Sequence, residues 1–367
     1  MLEKFTKNFG FGAMRLPMNG DQVDMEQFRQ MVDIFMEAGF RYFDTAHVYL
    51  NGQSEIALRE CLVKRYPRES FALTNKLSSS KFQTEEEIRP LFQRQLEACG
   101  VEYFDVYLMH SQHAESFEKF KACHAYEIAL ELKKEGKIRH VGFSFHDTAD
   151  VLDQILTEYP QMEVVQLQFN YLDMDSASIQ SRACYEVCRK HNKPVIVMEP
   201  VKGGKLAMLP QEAKQVFADL GGGSDASYAI RYAASFEGII MVLSGMGNVD
   251  MVKDNCSFMQ NFQPLNAQEL EAVEKVKNIL LQQASVGCTA CRYCTEVCPQ
   301  GIPIPELFSC LEEKRLQNWV GERYRAIVET AGVKACDCLG CGACETACPQ
   351  HLPIRKLLEE VTASFEK

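Results

Sequence analysis

The hydrophobic pattern of residues 9–265 alternates between two kinds of segment. Short apolar or β-branched runs of six or seven residues predict buried strands, and amphipathic stretches with helical spacing separate most of them. The predicted strands are 9–14, 41–46, 71–76, 104–110, 139–144, 164–169, 194–199 and 239–244. The clearest helical stretches are 27–40, 86–100 and 116–136, with Gly39, Gly100 and Gly136 where their C-termini should be.

Eight strands in alternation with helices predict an α/β protein whose main domain is a (β/α)8 TIM barrel, a fold of roughly 250 residues. A doubly wound open sheet is the alternative for the same pattern. No Gly-x-Gly-x-x-Gly sequence follows the first strand, which disfavours the dinucleotide-binding form of that sheet. The helical spacing of residues 266–283 predicts the last helix of this domain.

The distribution of cysteines predicts a second domain. Six of the 16 cysteines lie before residue 288 and ten lie between Cys288 and Cys348. We therefore place the barrel in residues 1–284 and a small domain in residues 285–367. The chain begins without a hydrophobic signal core, so we expect a cytoplasmic protein whose cysteines bind metal rather than form disulfides.

The small domain carries one cysteine motif twice. Each copy reads C-x2-C-x2-C-x3-C-P, the bacterial ferredoxin spacing for [4Fe–4S] clusters, in which the fourth cysteine ligates the other cluster. One cluster should therefore use Cys288, Cys291, Cys294 and Cys348, and the other should use Cys338, Cys341, Cys344 and Cys298. A zinc site is the alternative, although it needs only paired C-x2-C groups. Helical patterns at 304–320 and 322–332 favour a mostly helical two-cluster ferredoxin-like domain over the small β-containing type.

Charge and hydropathy exclude some partners. Asp and Glu number 50 against 39 Lys and Arg, which gives a net charge of −11, and no basic run is present. This balance argues against a nucleic-acid partner. No apolar run approaches the ~18 residues of a membrane span, so we expect no membrane partner.

Four reactive side chains lie at or just after the C-terminal ends of predicted strands, where barrel active sites form. They are Asp44, Tyr49, Lys76 and His110. The run FDTAHVYLNGQSE (43–55), together with Lys76 and His110, resembles the catalytic tetrad of the aldo/keto reductases, and the resemblance extends along most of residues 9–256. GKIRHVGFSFH (136–146) is similar to a branch that carries a C-terminal ferredoxin domain.

Hydride addition to a carbonyl builds negative charge on oxygen, so the reaction needs a proton donor. Tyr49 is the expected donor, and a nearby Lys76 ammonium would lower the pKa of Tyr49. Asp44 would hold Lys76 charged and oriented. His110 would hydrogen-bond the carbonyl oxygen and set its position.

The resemblance also implies cofactor contacts. Ser144 and Gln166 match the residues that hold the nicotinamide amide, with Asn170 close by, and Met198 takes the place of the stacking aromatic residue. Glycine-rich turns after the seventh and eighth strands suit a phosphate site, and plain turns are the alternative. Its expected members are Lys202, Gly203, Gly204, Gly245 and Asn248, and Asn255 matches the adenine-contacting asparagine. Gly245 and Met251 replace the basic residues that usually bind a 2′-phosphate, so we expect no strong NADP preference.

A nicotinamide moves two electrons as hydride, whereas a [4Fe–4S] cluster moves one, and a flavin could split the pair. The cofactors expected are two [4Fe–4S] clusters and NAD(P)H, with FMN as the alternative occupant of the barrel. We expect an iron–sulfur oxidoreductase that acts on a small-molecule carbonyl or alcohol, relays electrons through its clusters and uses a redox partner such as ferredoxin. The alternatives are a flavin- or cluster-driven reductase without nicotinamide, and an electron-transfer or interaction protein.

Overall fold

The computed structural model describes residues 7–282, 286–315 and 320–366. Its strands are β1 (Phe9–Gly12), β2 (Met18–Asn19), β3 (Gln22–Val23), β4 (Tyr42–Asp44), β5 (Ala72–Leu77), β6 (Phe104–Gln112), β7 (Ile138–Phe145), β8 (Val164–Gln168), β9 (Val195–Met198) and β10 (Ile239–Ser244). The helices of the first part of the chain are α1 (Met25–Glu37), α2 (Gln53–Leu58), α3 (Ile88–Cys99), α4 (Ala114–Ala122), α5 (Ala125–Lys134), α6 (Ala149–Glu158), α7 (Ser181–Lys190), α8 (Gln211–Ala218), α9 (Asp225–Ala234), α10 (Val249–Met259) and α11 (Ala267–Gln282). Those that follow are α12 (Tyr293–Glu296), α13 (Ile304–Arg315), α14 (Gly321–Ala331), α15 (Ala343–Thr346) and α16 (Ile354–Phe365).

Eight parallel strands close into a barrel in the order β1-β10-β9-β8-β7-β6-β5-β4. This confirms the (β/α)8 prediction, and each predicted strand has a counterpart. The remaining two strands, β2 and β3, form a short antiparallel hairpin. Their two-residue length is too short for a periodic pattern to reveal.

Alternation along β1 shows how the barrel packs. Phe9 and Phe11 point outward, where their rings lie 5.8 and 5.4 Å from the ring of Phe35 in α1. Gly10 faces the opposite way, and a Cβ there would lie 2.7 Å from Leu243 and 2.9 Å from Tyr42. Glycine is therefore required in the crowded barrel interior, which is filled by a layer of apolar side chains. That layer contains Tyr42, Ala72, Val106, Leu108, Val164, Ile196, Met241 and Leu243.

Three helices end just before the predicted glycines, but one predicted helix is divided in two. Gly39, Gly100 and Gly136 have φ of +88°, +69° and +78°, the left-handed conformation that closes a helix. The stretch 116–136, however, forms two helices, α4 and α5. His124 separates them because its own φ is +47°, a conformation that a continuous helix excludes.

The chain divides into two compact units. The first comprises the described part of Met1–Pro200 together with Gly222–Leu270, and the second comprises Val201–Gly221 together with the described part of Glu271–Lys367. Within the second unit, residues 286–315 and 320–366 form helices and no strand. Apolar residues of α13 and α16 recur at helical spacing and supply much of the buried core. They are Ile304, Leu307, Phe308, Leu311, Ile354, Leu357, Leu358 and Val361.

The predicted helix 304–320 corresponds to α13, which is described as far as Arg315, and residues 316–319 lie outside the described residues. The predicted helix 322–332 corresponds to α14. No helix in the parts of the chain that the structure describes is long and apolar enough to span a bilayer.

Candidate active site and cluster sites

The four tetrad residues converge at one end of the barrel. Asp44 is the last residue of β4, Lys76 lies in β5 and His110 lies in β6, so three adjacent parallel strands present them at their C-terminal ends. Tyr49 begins the short 3-10 turn that follows β4. All four side chains are buried, and Lys76 is completely excluded from solvent.

Lys76 organises the group. Its Nζ donates to Asp44 Oδ1 at 2.5 Å, to the Thr45 carbonyl at 2.8 Å and to Tyr49 Oη at 3.2 Å. Burial lowers the pKa of Lys76, and the Asp44 carboxylate acts in the opposite direction. Asp44 therefore supplies the negative charge that favours an ammonium inside the barrel.

His110 lies beside the tyrosine. Its ring meets the Tyr49 ring edge-on with centroids 5.9 Å apart, and its Nδ1 is 2.6 Å from Ser78 Oγ. Burial, and then the positive charge of Lys76, hold the pKa of His110 well below its usual value, so a neutral imidazole is favoured. When Ser78 donates to Nδ1, the ring proton is on Nε2, which then serves as a hydrogen-bond donor.

A buried hydrogen-bond network lies behind the tetrad, and the sequence pattern did not predict it. Glu55 in α2 is fully buried, its Oε2 is 2.7 Å from His47 Nδ1, and its Oε1 accepts from Asn75 Nδ2 at 2.8 Å. Asn75 Oδ1 in turn accepts from the backbone N–H of Lys76 at 2.8 Å. The network ties the loop between Asp44 and Tyr49 to β5. A lone glutamate in an amphipathic stretch carries no sequence signal of such burial.

Two of the expected nicotinamide residues lie next to the tetrad. Ser144 on β7 and Gln166 on β8 are direct register partners. Gln166 Nε2 donates to Asp44 Oδ2 at 3.0 Å, and Ser144 Oγ accepts from the backbone N–H of Ser111 at 2.7 Å. The Ser144 hydroxyl can still donate, and the Gln166 carbonyl oxygen is an acceptor. This donor and acceptor set fits a carboxamide beside the tetrad.

Asn170 and Met198 have different surroundings. Asn170 Nδ2 donates to Asp173 Oδ2 at 2.8 Å and to the Glu199 carbonyl at 3.0 Å, so its amide stabilises the loop after β8. Met198 ends β9 and is half-buried, which leaves a flexible thioether available to pack against a ring.

The two expected asparagines after β10 make hydrogen bonds within the segment formed by β10 and α10. Asn248 is its N-cap, and Asn248 Oδ1 accepts from the Met251 N–H at 2.9 Å. Asn255 is buried and donates to Ser244 Oγ at 2.9 Å. An exposed helix N-terminus next to Gly245 is compatible with a phosphate.

Arg15 is a basic residue of this region that the sequence did not single out. A Cβ on Gly245 would lie 3.5 Å from Arg15 Cδ, so the arginine packs against this glycine. Its guanidinium lies 3.7 Å from the carboxylate of Glu199. Arg15 comes from the loop after β1, and no pattern in the sequence links it to residue 245.

The other expected phosphate residues, Lys202, Gly203 and Gly204, belong to the second compact unit. All three have positive φ, and Lys202 Nζ lies 3.3 Å from Gln350 Oε1. A role of these residues in phosphate binding stays a prediction.

The eight motif cysteines line two cavities in the second unit. The first cluster site is the cavity lined by Cys288, Cys291, Cys294 and Cys348, and the second cluster site is the cavity lined by Cys298, Cys338, Cys341 and Cys344. Each cavity thus contains three cysteines of one motif and the last cysteine of the other. The remaining thiols of this region, Cys310 and Cys336, line neither cavity. The grouping fits two four-thiolate clusters with crossed fourth ligands.

The two motif loops share a backbone conformation that suits thiolate ligands. Ala290 and Arg292 in the first loop have φ of +53° and +68°, and their counterparts Gly340 and Gly342 have φ of +69° and +80°. The N–H groups of Ala290 and Gly340 each point at the first cysteine Sγ of their own loop, at 3.4 Å. Such N–H···S bonds stabilise negative charge on sulfur.

Residues 8–278 match the aldo/keto reductase family, and residues 287–352 match the 4Fe–4S dicluster domain. The chain belongs to the aldo/keto reductase family. In this aldo/keto reductase the family match covers the barrel, and the dicluster match covers all eight motif cysteines.

Curated relatives share part of this aldo/keto reductase. A 9,11-endoperoxide prostaglandin H2 reductase of Trypanosoma cruzi is 30% identical over 176 residues, 47% of this chain and 56% of that protein. An NADH-specific methylglyoxal reductase of Escherichia coli is 29% identical over 197 residues, 48% of this chain and 57% of that protein. The chain therefore spans little more than half the length of these two relatives.

Solved structures confirm the fold. An aldo-keto reductase from Bacillus halodurans in its holo form has a TM-score of 0.59 at 22% identity, over 73% of this chain and 91% of that one. One from Klebsiella pneumoniae in complex with NADPH has a TM-score of 0.58 at 18% identity, over 74% and 90%. At this identity the likeness extends to the barrel fold alone.

Proposed function

We propose that this aldo/keto reductase is an iron–sulfur oxidoreductase that interconverts a small-molecule carbonyl and its alcohol in the barrel, and that two [4Fe–4S] clusters relay its electrons. One observation carries the proposal: Lys76 Nζ contacts both Asp44 and Tyr49 Oη, with His110 against the tyrosine ring. Four separate loops and strands would not bring these residue types together for packing alone, because a buried Lys–Asp pair contributes little to stability.

Each residue has a role that its contacts support. A nicotinamide bound beside Ser144 and Gln166 would supply or accept the hydride. As the carbonyl carbon gains hydride, Tyr49 gives its phenolic proton to the carbonyl oxygen, and Lys76 stabilises the phenolate through its bond to Tyr49 Oη. His110, favoured as the neutral ring, donates from Nε2 to the same oxygen and orients it. Alcohol oxidation reverses these steps.

The polar surroundings of the expected nucleotide site support the binding of both NADH and NADPH. Arg15 is the cation next to Gly245, and Glu199 lies 3.7 Å from its guanidinium, which weakens its attraction for a 2′-phosphate. A relative is named as NADH-specific, whereas a structural neighbour holds NADPH. We infer that this chain binds NADH about as well as NADPH.

The cysteine-lined cavities support the second half of the proposal. Crossed ligands tie the two motifs together, and a pair of one-electron centres in one small domain is the arrangement of an electron relay. A redox partner such as ferredoxin would exchange electrons with them. Anaerobic iron and sulfide analysis should give about eight of each per chain, and the absorbance spectrum of the same sample tests for FMN.

The experiment that tests the barrel chemistry is carbonyl turnover by anaerobically purified protein, screened over small aldehydes and ketones with NADH and NADPH. Tyr49→Phe removes a hydroxyl and should reduce kcat by at least ~100-fold, the usual effect of losing a general acid. Tyr103→Phe is the matched control, since Tyr103 contacts Arg68 and Arg139 through its ring, which the substitution keeps. Equal turnover in both variants would contradict the role of Tyr49.

A further inference from the structure

The segment Val201–Gly221 contributes no residue to the catalytic tetrad. In sequence it lies between β9 and α9, yet it clusters with the residues of the cysteine-rich domain in the second compact unit. Within that unit it brings Lys202 to Gln350, which lines the first cluster site, and Lys205 to α13, a helix whose first residues line the same site.

Backbone contact fixes the segment against the first cysteine loop. Gly203 has a φ of +65°, and a Cβ there would lie 2.6 Å from the Thr289 carbonyl oxygen. Thr289 follows Cys288 and lines the first cluster site. Only glycine allows both this backbone conformation and this distance. The contact therefore depends on Gly203, the residue that follows Lys202.

Lys202 places a buried positive charge at this position. Its exposed fraction is 7%, and its Nζ lies 3.3 Å from Gln350 Oε1. Gln350 lines the first cluster site together with Cys348, two residues before it. Lys202 itself has a φ of +46°, an unfavourable conformation for a residue with a Cβ. The packing of the second unit holds this lysine in place despite that conformation.

Lys205 adds a second charge from the other side of the glycine pair. Its Nζ lies 2.7 and 2.9 Å from the carboxylate oxygens of Glu312 in α13. Three residues near the start of α13, Ile304, Pro305 and Phe308, line the first cluster site. Lys205 therefore pairs with a helix that borders the first cluster site.

We propose that Lys202 and Lys205 set the reduction potential of the first cluster, and that they raise it relative to the potential without them. Reduction adds one electron and therefore one negative charge to a four-thiolate cluster. A nearby ammonium in a water-poor environment stabilises the reduced form more than the oxidised form. The inference rests on the proposed cluster ligation, and these lysines are positioning residues for it.

The test is an EPR-monitored redox titration of the anaerobic full-length protein, after iron analysis. Wild type should show two one-electron transitions. Lys202→Met should shift the reduced-to-oxidised ratio of one cluster at least tenfold toward the oxidised form, equivalent to a potential roughly 59 mV lower for a one-electron couple. Lys205→Met should shift the same transition in the same direction. The other transition should stay unchanged in both variants.

Three matched variants make the result specific. Lys214→Met removes a lysine from the same segment, exposed on α8, and should leave both potentials unchanged. Lys202→Arg keeps the charge and should retain the wild-type potential. Glu312→Gln removes the opposing carboxylate and should shift the transition upward, so the sign remains testable if Lys202→Met loses a cluster.

Unchanged transitions in fully loaded Lys202→Met, Lys205→Met and Glu312→Gln proteins would overturn the assignment. Equal shifts in the Lys214→Met control would also overturn it, because the effect would then be one of overall charge. Absence of two transitions in wild type is a different result: it contradicts the proposed cluster ligation rather than the role of the lysines.

Discussion

The pair formed by Asp44 and Lys76 gives the most quantitative prediction for the barrel. Asp44→Asn keeps the shape of the side chain and removes its charge. The Lys76 ammonium, with no exposed surface, would then lose the carboxylate that lies 2.5 Å from its Nζ. Breaking one side of a buried ion pair costs about 3–5 kcal/mol, because the remaining charge is uncompensated. We expect a loss of that size in the free energy of unfolding at pH 7.

The loss should depend on pH in a defined direction. Burial already lowers the pKa of Lys76 in the folded protein, and Asp44 opposes this shift. Between the folded pKa and about 10.4, the value for an exposed lysine, the unfolded chain holds a proton that the folded chain has lost. Stability therefore rises with pH across that interval. Without Asp44 the folded pKa lies lower still, so the difference between variant and wild type should shrink as pH rises.

Urea unfolding followed by circular dichroism at pH 7 and pH 9.5 measures both effects. Lys76→Met in the Asp44→Asn background should recover much of the stability, since no buried charge then remains in the pair. Glu60→Gln is the surface control: Glu60 pairs with Lys64 on an exposed helix face and should have a far smaller effect. A small, pH-independent loss in Asp44→Asn would refute the reasoning.

Three further predictions concern the clusters and the cofactor. Cys298→Ser should damage the cluster held by Cys338, Cys341 and Cys344. EPR of the reduced protein measures this effect, and loss of the other cluster alone would contradict crossed ligation. Ala290→Gly should slow iron loss to a chelator because it relieves a φ of +53°, whereas Ala343→Gly in α15 should not. NADH and NADPH should differ in Kd by less than ~100-fold, or roughly 2.7 kcal/mol, by calorimetry, and a larger preference for NADPH would show that Arg15 binds the 2′-phosphate.

The sequence predicted the barrel because its strands are marked by local apolar runs, and β10 coincides with the predicted range 239–244. The hydrophobic pattern did not predict a helix break that depends on a single backbone angle. His124 ends one helix and precedes another through its positive φ, and neither its side chain nor its neighbours indicate this. The same limit explains the unpredicted hairpin of β2 and β3.

The positions of candidate site residues were predictable where the spacing of a motif determines which side chains come together. The tetrad lies at adjacent strand ends, and the cysteines group as the doubled motif implies. Contacts between segments distant in sequence were not predictable. Glu55 reaches Asn75 across 20 positions, and Lys202 reaches Gln350 across 148. Such pairs depend on the finished fold, since the residue types alone are common on any surface.

The placement of Val201–Gly221 in the second unit has a consequence for biosynthesis. This segment leaves the ribosome before any of the eight cluster cysteines, and it interrupts the part of the chain that completes the barrel. When β10 has been synthesised, Val201–Gly221 therefore still lacks the later residues with which it packs in the second unit. The second unit can therefore assemble only after its later residues have been made, and expression of residues 285–367 alone would omit one of its own parts.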